Sequence, residues 1–267
     1  MFEDPALGVA SGPRLTCLRA FVDNDYKVVR PESKKGGRKR GIYESGLMRL
    51  RHHSEPIVAE GNTVKTVVDV TGFKGAGFRH ECDYVFGADG SITMANRVVP
   101  YGSMPNVLPR LGLSMRLASG LEQMRYYGRG PMENYIDRLS GSFVGVYEST
   151  VTDQFVDYVR PQDNGYKCDV RWAEFFDSDG RGVRFSADTP LFMQALHFSW
   201  DDLNYSRHQN GQVQFRTPLV KRPEVMLNLD VRQLGLGGSS CGPGPMAKYI
   251  FNPSETVSWT LRLEPLP

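Results

Sequence analysis

The sequence predicts an all-β protein, in which short antiparallel strands form one large domain with one or two short helices. Along most of the chain, apolar and polar residues alternate with the period of two that a half-buried strand requires. Gly, Pro, Asn and Asp separate the alternating runs and indicate turns. No long helical pattern stands between the runs, which argues against a parallel α/β sheet and favours a sandwich or barrel.

The clearest predicted hairpin covers residues 78–99. In "FRHECDYVF", every second side chain lies on one face of the predicted strand, and these are Phe78, His80, Cys82, Tyr84 and Phe86. The turn signal "GADGS" follows, and "SITMANRVV" then alternates again. Two strands joined by a turn are therefore expected here.

Four further stretches have the same strand pattern: "TVKTVVDV", "LGLSMRL", "GVRFSA" and "TVSWTLRL". In the last of them, Trp259 shares an apolar face with Val257, Leu261 and Leu263. Only "YESGLMRLRHH" and "WDDLNYSRHQ" are predicted to be helical, the second because of its acidic start. No change in composition marks a linker, so we expect a single domain over residues 1–267.

Composition narrows the classes of partner. The net charge of +2 gives no reason to expect nucleic acid or an anionic membrane, and no apolar run reaches the roughly 18 residues of a transmembrane helix. The N-terminal stretch has no apolar core of signal-peptide length, and the compartment, cytoplasm or periplasm, stays open. The basic stretch "KKGGRKRG" (residues 34–41) is interpreted as a solvated loop, with a phosphate or nucleic-acid patch as the alternative.

No motif for a metal or cofactor is found. The four cysteines, which contain no CxxC pair, are predicted to be free and mostly buried: Cys17, Cys82, Cys168 and Cys241. Phosphate-loop, HExxH and GxSxG motifs are absent, and the five histidines have no ligand spacing beyond one adjacent pair. We therefore expect no cofactor and no metal site in this chain.

The stretch "YYGRGPMENYIDR", residues 126–138 and hereafter the signature segment, combines aromatic, turn-forming and charged residues. Its carboxylates Glu133 and Asp137 would suit a glycosidase dyad, but a glycine and a proline precede them and no helix face aligns the two. The favoured interpretation is a scaffold whose charged residues pair with one another and with backbone groups, namely Arg129, Glu133, Asp137 and Arg138.

The signature segment resembles "GxGPxENYxDR", a signature in the C-terminal part of β-galactosidases of glycoside hydrolase family two. Further stretches resemble that family in the same order: "LRAFVDNDY" at 18–26, "LPRLGLSMRL" at 108–117, "YVRPQDNGYKCDVRW" at 158–172, "LHFSWDDLNYSRH" at 196–208 and "VMLNLDVRQLGLGGSSCGPGP" at 225–245. Together these stretches span nearly the whole chain, so the resemblance is to the terminal domain of such an enzyme.

The resemblance implies a large antiparallel supersandwich similar to galactose mutarotases. It also implies that the catalytic glutamates lie in a separate upstream (β/α)₈ barrel, so we expect no catalytic residue here and no activity of this chain alone. The implied partners are the upstream domains of the same β-galactosidase, including that barrel, and a galactoside substrate. Association with further copies of the chain stays open.

In the family, two loops of this domain approach the mouth of the barrel pocket. The first matches Asp23, Asn24, Asp25, Tyr26 and Lys27, and the second matches Gly238, Ser239, Ser240, Cys241 and Gly242. Some relatives carry a Trp in the second loop that can stack on a sugar ring, where this sequence has Cys241. Since a thiol offers no such apolar face, either the preference for the acceptor sugar differs or another residue such as Tyr26 takes over.

The alternative function is a stand-alone carbohydrate-binding or aldose 1-epimerase-like protein. Mutarotation needs a general acid and a general base around the ring oxygen and the anomeric hydroxyl. His208 with Glu133 or Asp163 would be the candidates. In that case the signature segment would line a sugar groove rather than form a scaffold, with Arg129, Glu133, Asn134, Asp137, Arg138 and His208 as its residues.

Overall fold

The computed structural model describes residues 2–4, 7–25, 41–205 and 219–267. Within these ranges the chain forms fourteen strands, in order β1 Phe2–Asp4, β2 Val9–Thr16, β3 Leu50–Ser54, β4 Val58–Glu60, β5 Thr63–Gly72, β6 Gly77–Phe86, β7 Ile92–Tyr101, β8 Arg110–Leu117, β9 Gln123–Gly130, β10 Phe143–Thr150, β11 Lys167–Phe176, β12 Gly182–Leu196, β13 Val225–Gln233 and β14 Val257–Leu266. The predicted all-β class is confirmed.

The strand pairs described are all antiparallel and connect into one continuous sheet. Its main path runs β1-β2-β8-β13-β12-β14-β7-β6-β5-β3, and β4 also pairs with β5. A branch leaves this path at β12, which pairs with β11, then β9, then β10. The signature segment begins in β9, so it lies on the branch.

Strand β12 joins the branch to the main path because it changes partner along its 15 residues. Its first part, 182–187, pairs with β14, and its last part, 192–196, pairs with β13. Pro190 lies between the two parts, and proline has no backbone N–H to donate to a neighbouring strand. The change of partner therefore falls where continued pairing would lose a hydrogen bond.

The predicted hairpin over residues 78–99 is confirmed as β6 and β7, which pair from Gly77 opposite Tyr101 to Phe86 opposite Ile92. Its alternation is present as well, since Phe78, His80 and Cys82 are buried while Arg79 and Asp83 are exposed. The main core draws on strands from both the main path and the branch, and Trp259 of β14 lies within it. The apolar face predicted for "TVSWTLRL" is thus a core face.

The structure contains two short α-helices within the described ranges, α1 Ile42–Ser45 and α2 Trp200–Tyr205. The helix predicted over "YESGLMRLRHH" is wrong beyond its first turn, because Gly46 adopts a left-handed φ of 78° and a Cβ there would meet Lys74 N at 2.5 Å. The chain then continues as β3. The second predicted helix is confirmed for residues 200–205. No helix in these ranges is long and apolar enough to cross a membrane.

Candidate functional site

Three segments that the sequence singled out meet at one end of the molecule. They are the turn at residues 23–25, hereafter the DND turn, the loop at residues 235–242 after β13, hereafter the glycine loop, and the signature segment after β9. Hydrogen bonds that involve the side chains of Asn24, Asp137 and Arg138 connect these three segments. Tyr26, Lys27, His208 and most of the basic stretch 34–41 lie outside the described residues.

Asn24 joins the DND turn to the glycine loop through both ends of its side-chain amide. Its Nδ2 donates to the Gly237 carbonyl oxygen at 2.9 Å, and its Oδ1 accepts from the Ser240 N–H at 2.9 Å. An amide that uses its donor and its acceptor on one loop defines the position of that loop better than either bond alone. The two loops predicted to approach a pocket are therefore adjacent.

Asp25 holds the DND turn in place from within the core. Its carboxylate accepts two hydrogen bonds from the Arg19 guanidinium, at 3.0 and 2.8 Å, and one from the Val22 N–H at 3.2 Å. Arg19 also donates to the Leu234 carbonyl at 3.1 Å, directly before the glycine loop. Asp25 is buried, so of the three residues in the turn it anchors the backbone, whereas Asp23 is exposed at the surface.

Asp137 of the signature segment binds the other flank of the glycine loop. Its Oδ1 accepts from the Leu236 N–H at 3.0 Å and its Oδ2 from the Gly237 N–H at 2.8 Å. Arg138 then donates from Nη2 to the Gly237 carbonyl at 2.7 Å. A Cβ on Gly235 would lie 2.9 Å from Asp137 Cγ, so the carboxylate can approach this closely only because residue 235 is glycine.

The expectation that the charged residues of the signature segment pair with one another is wrong. Among the described residues, Arg129 bonds to Asp169 and to the Ser142 carbonyl, while Glu133 accepts from the Tyr158 hydroxyl and from the Gly165 N–H. Arg129 thus points to β11 and Glu133 to the loop before β11, whereas Asp137 and Arg138 both point to the glycine loop. Their pairing with backbone groups, which was also expected, is present at Arg129, Glu133, Asp137 and Arg138.

Asn134 gives the segment its internal shape. It is buried, and its Nδ2 donates to the carbonyls of Arg129 and Met132 at 3.1 and 3.0 Å. Its Oδ1 accepts from the Cys168 N–H at 2.8 Å, which ties the segment to β11. Because all of these bonds are internal, Asn134 supports the fold of the segment and has no polar group left for a ligand.

A cluster of buried polar residues lies beneath the three segments, and the sequence analysis did not single it out. Arg110 at the start of β8 donates to Tyr166 Oη at 2.8 Å, to Asn228 Oδ1 at 3.0 Å and to Asp230 at 3.3 Å. Burial opposes the charge of Arg110, but Asp230, Tyr166 and Asp163 together outweigh this effect, so the pKa of Arg110 is raised. The sequence did carry a signal for this cluster, because a charged residue stands within an otherwise apolar strand in "PRLGL" and in "LNLDV".

Asp163 belongs to the same buried region and is enclosed by protein groups. It accepts hydrogen bonds from Tyr135 Oη at 3.1 Å and from Gln194 Nε2 at 3.0 Å. Burial raises its pKa from 3.8 to about 7, although Arg19 and Arg110 act in the opposite direction. A carboxyl at this depth does not reach a sugar on the surface.

The prediction that the four cysteines are free and mostly buried is confirmed. Cys17, Cys82 and Cys168 are free and buried, whereas Cys241 is free and exposed in the glycine loop. Ser240 beside it is also exposed, and Ser239 is half-buried. The polar side chains that the glycine loop presents to the surroundings are therefore two hydroxyls and one thiol, beside the half-buried Leu236.

Comparison with known proteins identifies the family. The model of the β-galactosidase small chain matches residues 3–263. The β-galactosidase of Streptococcus thermophilus is 25% identical over 97% of this chain and 24% of its own length, and that of Arthrobacter sp. (strain B7) is 26% identical over 95% of this chain and 26% of its own length. Thus the chain spans about a quarter of the length of these curated relatives.

Among solved structures, a GalM/aldose epimerase homologue from C. elegans aligns with 79% of this chain and 67% of its own, with a TM-score of 0.43 and 8% sequence identity. The galactose 1-epimerase of Lactobacillus acidophilus NCFM aligns with 84% of this chain and 68% of its own, with a TM-score of 0.40 and 9% identity. The match of the family model over nearly the whole sequence shows that this chain belongs to the β-galactosidase small-chain family.

Proposed function

We propose that this chain is the C-terminal part of a β-galactosidase, which hydrolyses terminal β-galactosides, and that it completes the substrate pocket without supplying the catalytic carboxylates. Membership of the small-chain family supports this proposal. So does the length of the chain, which covers about a quarter of the relatives that it matches. The chemistry of bond cleavage then belongs to the remaining three quarters of such an enzyme.

The observation that carries the proposal is the meeting of the DND turn, the glycine loop and the signature segment. Asn24 and Asp137 contact the glycine loop from two sides and hold it at the surface, where Ser240 and Cys241 are exposed. Hydroxyl groups of this kind can donate to and accept from sugar hydroxyls. Among the described residues, these three segments have the composition of a polar pocket wall and offer no free carboxylate pair for hydrolysis.

The partner we propose is the upstream part of the same enzyme, including its catalytic barrel. Exposed apolar side chains next to the signature segment support a packing surface there. Phe143, which lies opposite Gly130 at the start of β10, is 74% exposed. Met132, two residues after Gly130 in the chain, is 64% exposed. Val159, 91% exposed, follows Tyr158, whose hydroxyl bonds to Glu133 of the segment. Exposed apolar patches of this kind commonly mark interfaces between proteins or domains.

The test is a chromogenic β-galactoside assay on this chain alone, on the upstream part of the same enzyme, and on the two together. We expect activity only when both are present, because neither the pocket nor the catalytic barrel is complete by itself. Turnover by this chain alone that is lost on replacing Glu133 or Asp137 would contradict the proposal. A Phe143→Ser variant should weaken the recovery of activity through loss of apolar contact.

A stand-alone epimerase remains the second candidate, but the geometry does not favour it. Asp163 is buried among Tyr135 and Gln194, and Glu133 is bound by Tyr158 and the Gly165 N–H. Both carboxylates proposed for acid–base chemistry are therefore occupied by protein groups. Polarimetry of freshly dissolved α-galactose with and without the chain tests this alternative directly.

A further inference from the structure

The backbone N–H groups of the glycine loop are almost all used inside the protein. Those of residues 235, 238, 241 and 242 donate to main-chain carbonyls, at distances of 2.6 to 3.1 Å. Residues 236 and 237 donate to Asp137, and residue 240 donates to Asn24. Of the eight N–H groups in the loop, only that of Ser239 has no acceptor among the described residues.

Three of these seven donors are bound by side chains that lie outside the loop. Asp137 is about 100 residues away in sequence and Asn24 more than 200, so the loop does not determine its own conformation. Gly237 is the point where they converge: its N–H bonds to Asp137, its carbonyl accepts from Asn24 and Arg138, and its φ is +59°. A left-handed residue bound on both its N–H and its carbonyl has little freedom to turn.

We infer that Asp137 and Asn24 are positioning residues that hold the glycine loop from its two flanks, and that the loop meets a galactoside through the side chains of Ser239, Ser240 and Cys241 rather than through backbone N–H groups. The second half of this inference rests on the proposed function. The first half does not, because it concerns only how the loop is fixed. On this inference, the signature segment fixes the conformation of a pocket loop in addition to its role in the scaffold.

Cys241 allows the first half to be measured without a new cysteine. Burial raises the pKa of Cys17 and of Cys82 to about 12 and also raises that of Cys168, so these thiols stay protonated and inaccessible. A nitroxide reagent should therefore label Cys241 in the full chain. The lineshape of its paramagnetic resonance spectrum reports motion of the label and its loop on the nanosecond scale.

Asp137→Ala and Asn24→Ala should each shift the spectrum toward fast motion, because each leaves loop N–H groups without an acceptor. Asp137→Asn keeps the size and one acceptor oxygen, so it should give an intermediate shift and serves if the alanine variant does not fold. Glu133→Gln is the matched control, since Glu133 lies in the same segment but bonds to Tyr158 and Gly165. An unchanged lineshape in folded Asp137→Asn and Asn24→Ala would overturn the positioning role.

The pocket role is tested separately in the assembled enzyme, that is, this chain together with the upstream part of the same enzyme. If the loop contacts substrate through its side chains, Asp137→Asn should raise KM more than it lowers kcat, and Ser240→Ala should raise KM without changing the label's mobility. Greater mobility with unchanged KM would leave the positioning role standing and overturn the contact with substrate. A fall in kcat alone for Ser240→Ala would likewise contradict the contact proposed here.

Discussion

Charge is handled differently in the buried cluster and in the signature segment. Arg110 and Asp230 are 1% and 0% exposed in their side chains, and every bond that Arg110 makes is to a core group. The Arg138 side chain, by contrast, is exposed and makes one hydrogen bond to the described residues, to a loop carbonyl. The first arrangement joins β8, β13 and Tyr166, the residue before β11, inside the molecule, whereas the second only steadies a surface loop.

The difference teaches that residue type alone does not indicate what a charged group contributes. When a buried ion pair loses one partner, the other charge is left uncompensated in a region of low dielectric constant. When an exposed pair loses one partner, water solvates the remaining charge and the loss of stability is small. Three substitutions, arranged from the largest expected effect to the smallest, would establish whether this contrast is real.

Asp230→Ala should lower the free energy of unfolding by about 3–5 kcal/mol, because it leaves the Arg110 guanidinium buried without its carboxylate. The measurement is the midpoint of urea unfolding, followed by intrinsic fluorescence. Asp179→Ala is the control, since Asp179 pairs with Arg181 where both side chains are 66% exposed, and its loss should be about 0–1 kcal/mol. Equal losses in the two variants would remove the contrast between buried and exposed charge.

Lys167→Met should have the opposite sign. Lys167 is buried at the start of β11 and its ammonium has no hydrogen bond or ion pair to any described residue. Burial lowers its pKa from 10.5 to about 8, with Glu133 nearby offsetting part of the effect. Methionine fills a similar volume without the charge, so the variant should be more stable at pH 7 by about 1–3 kcal/mol.

The pH dependence of Lys167→Met follows from the direction of the shift. A lysine whose pKa is lower in the folded than in the unfolded protein destabilises the fold fully below the folded pKa, and this penalty disappears as the pH rises toward the unfolded pKa. The advantage of the variant over the parent should therefore shrink between about pH 8 and pH 10. An advantage that grows with pH, or a less stable variant at pH 7, would show that Lys167 has a favourable partner.

Much of the fold could be predicted because strand alternation is a local property. The hairpin of β6 and β7 and the core face with Trp259 followed from a period of two within ten residues. The error at residues 46–53 has a local cause as well, since Leu47 and Leu50 suit a helix but Gly46 ends it. What decided the outcome there was the close packing of Gly46 against Lys74, which no short window contains.

The site was predictable in its parts but not in its bonds. The motifs placed Asn24, Asp137 and Ser240 in three separate stretches, yet Asp137 was expected to pair with charged neighbours one to eight residues away. In the structure its carboxylate instead accepts hydrogen bonds from two backbone N–H groups about 100 residues later in the chain. Such contacts depend on how the segments after β9 and β13 come together, which alternation along a single strand does not encode.

Arg138→Ala is the smallest of the three effects and the most direct test of what an exposed charge contributes. Its Nη2 bonds to the Gly237 carbonyl, which also accepts from Asn24, so one bond remains after substitution. We expect a loss of about 0.5–1.5 kcal/mol, the net value of an ordinary hydrogen bond, measured by urea unfolding at low and high salt. Arg160→Ala is the matched control, because Arg160 lies 3.9 Å from Asp23 with both side chains more than half exposed, and its loss should be near zero. A bond to a neutral carbonyl depends little on salt, so a loss at Arg138 that vanishes in high salt would identify long-range charge, and not the Gly237 contact, as its contribution.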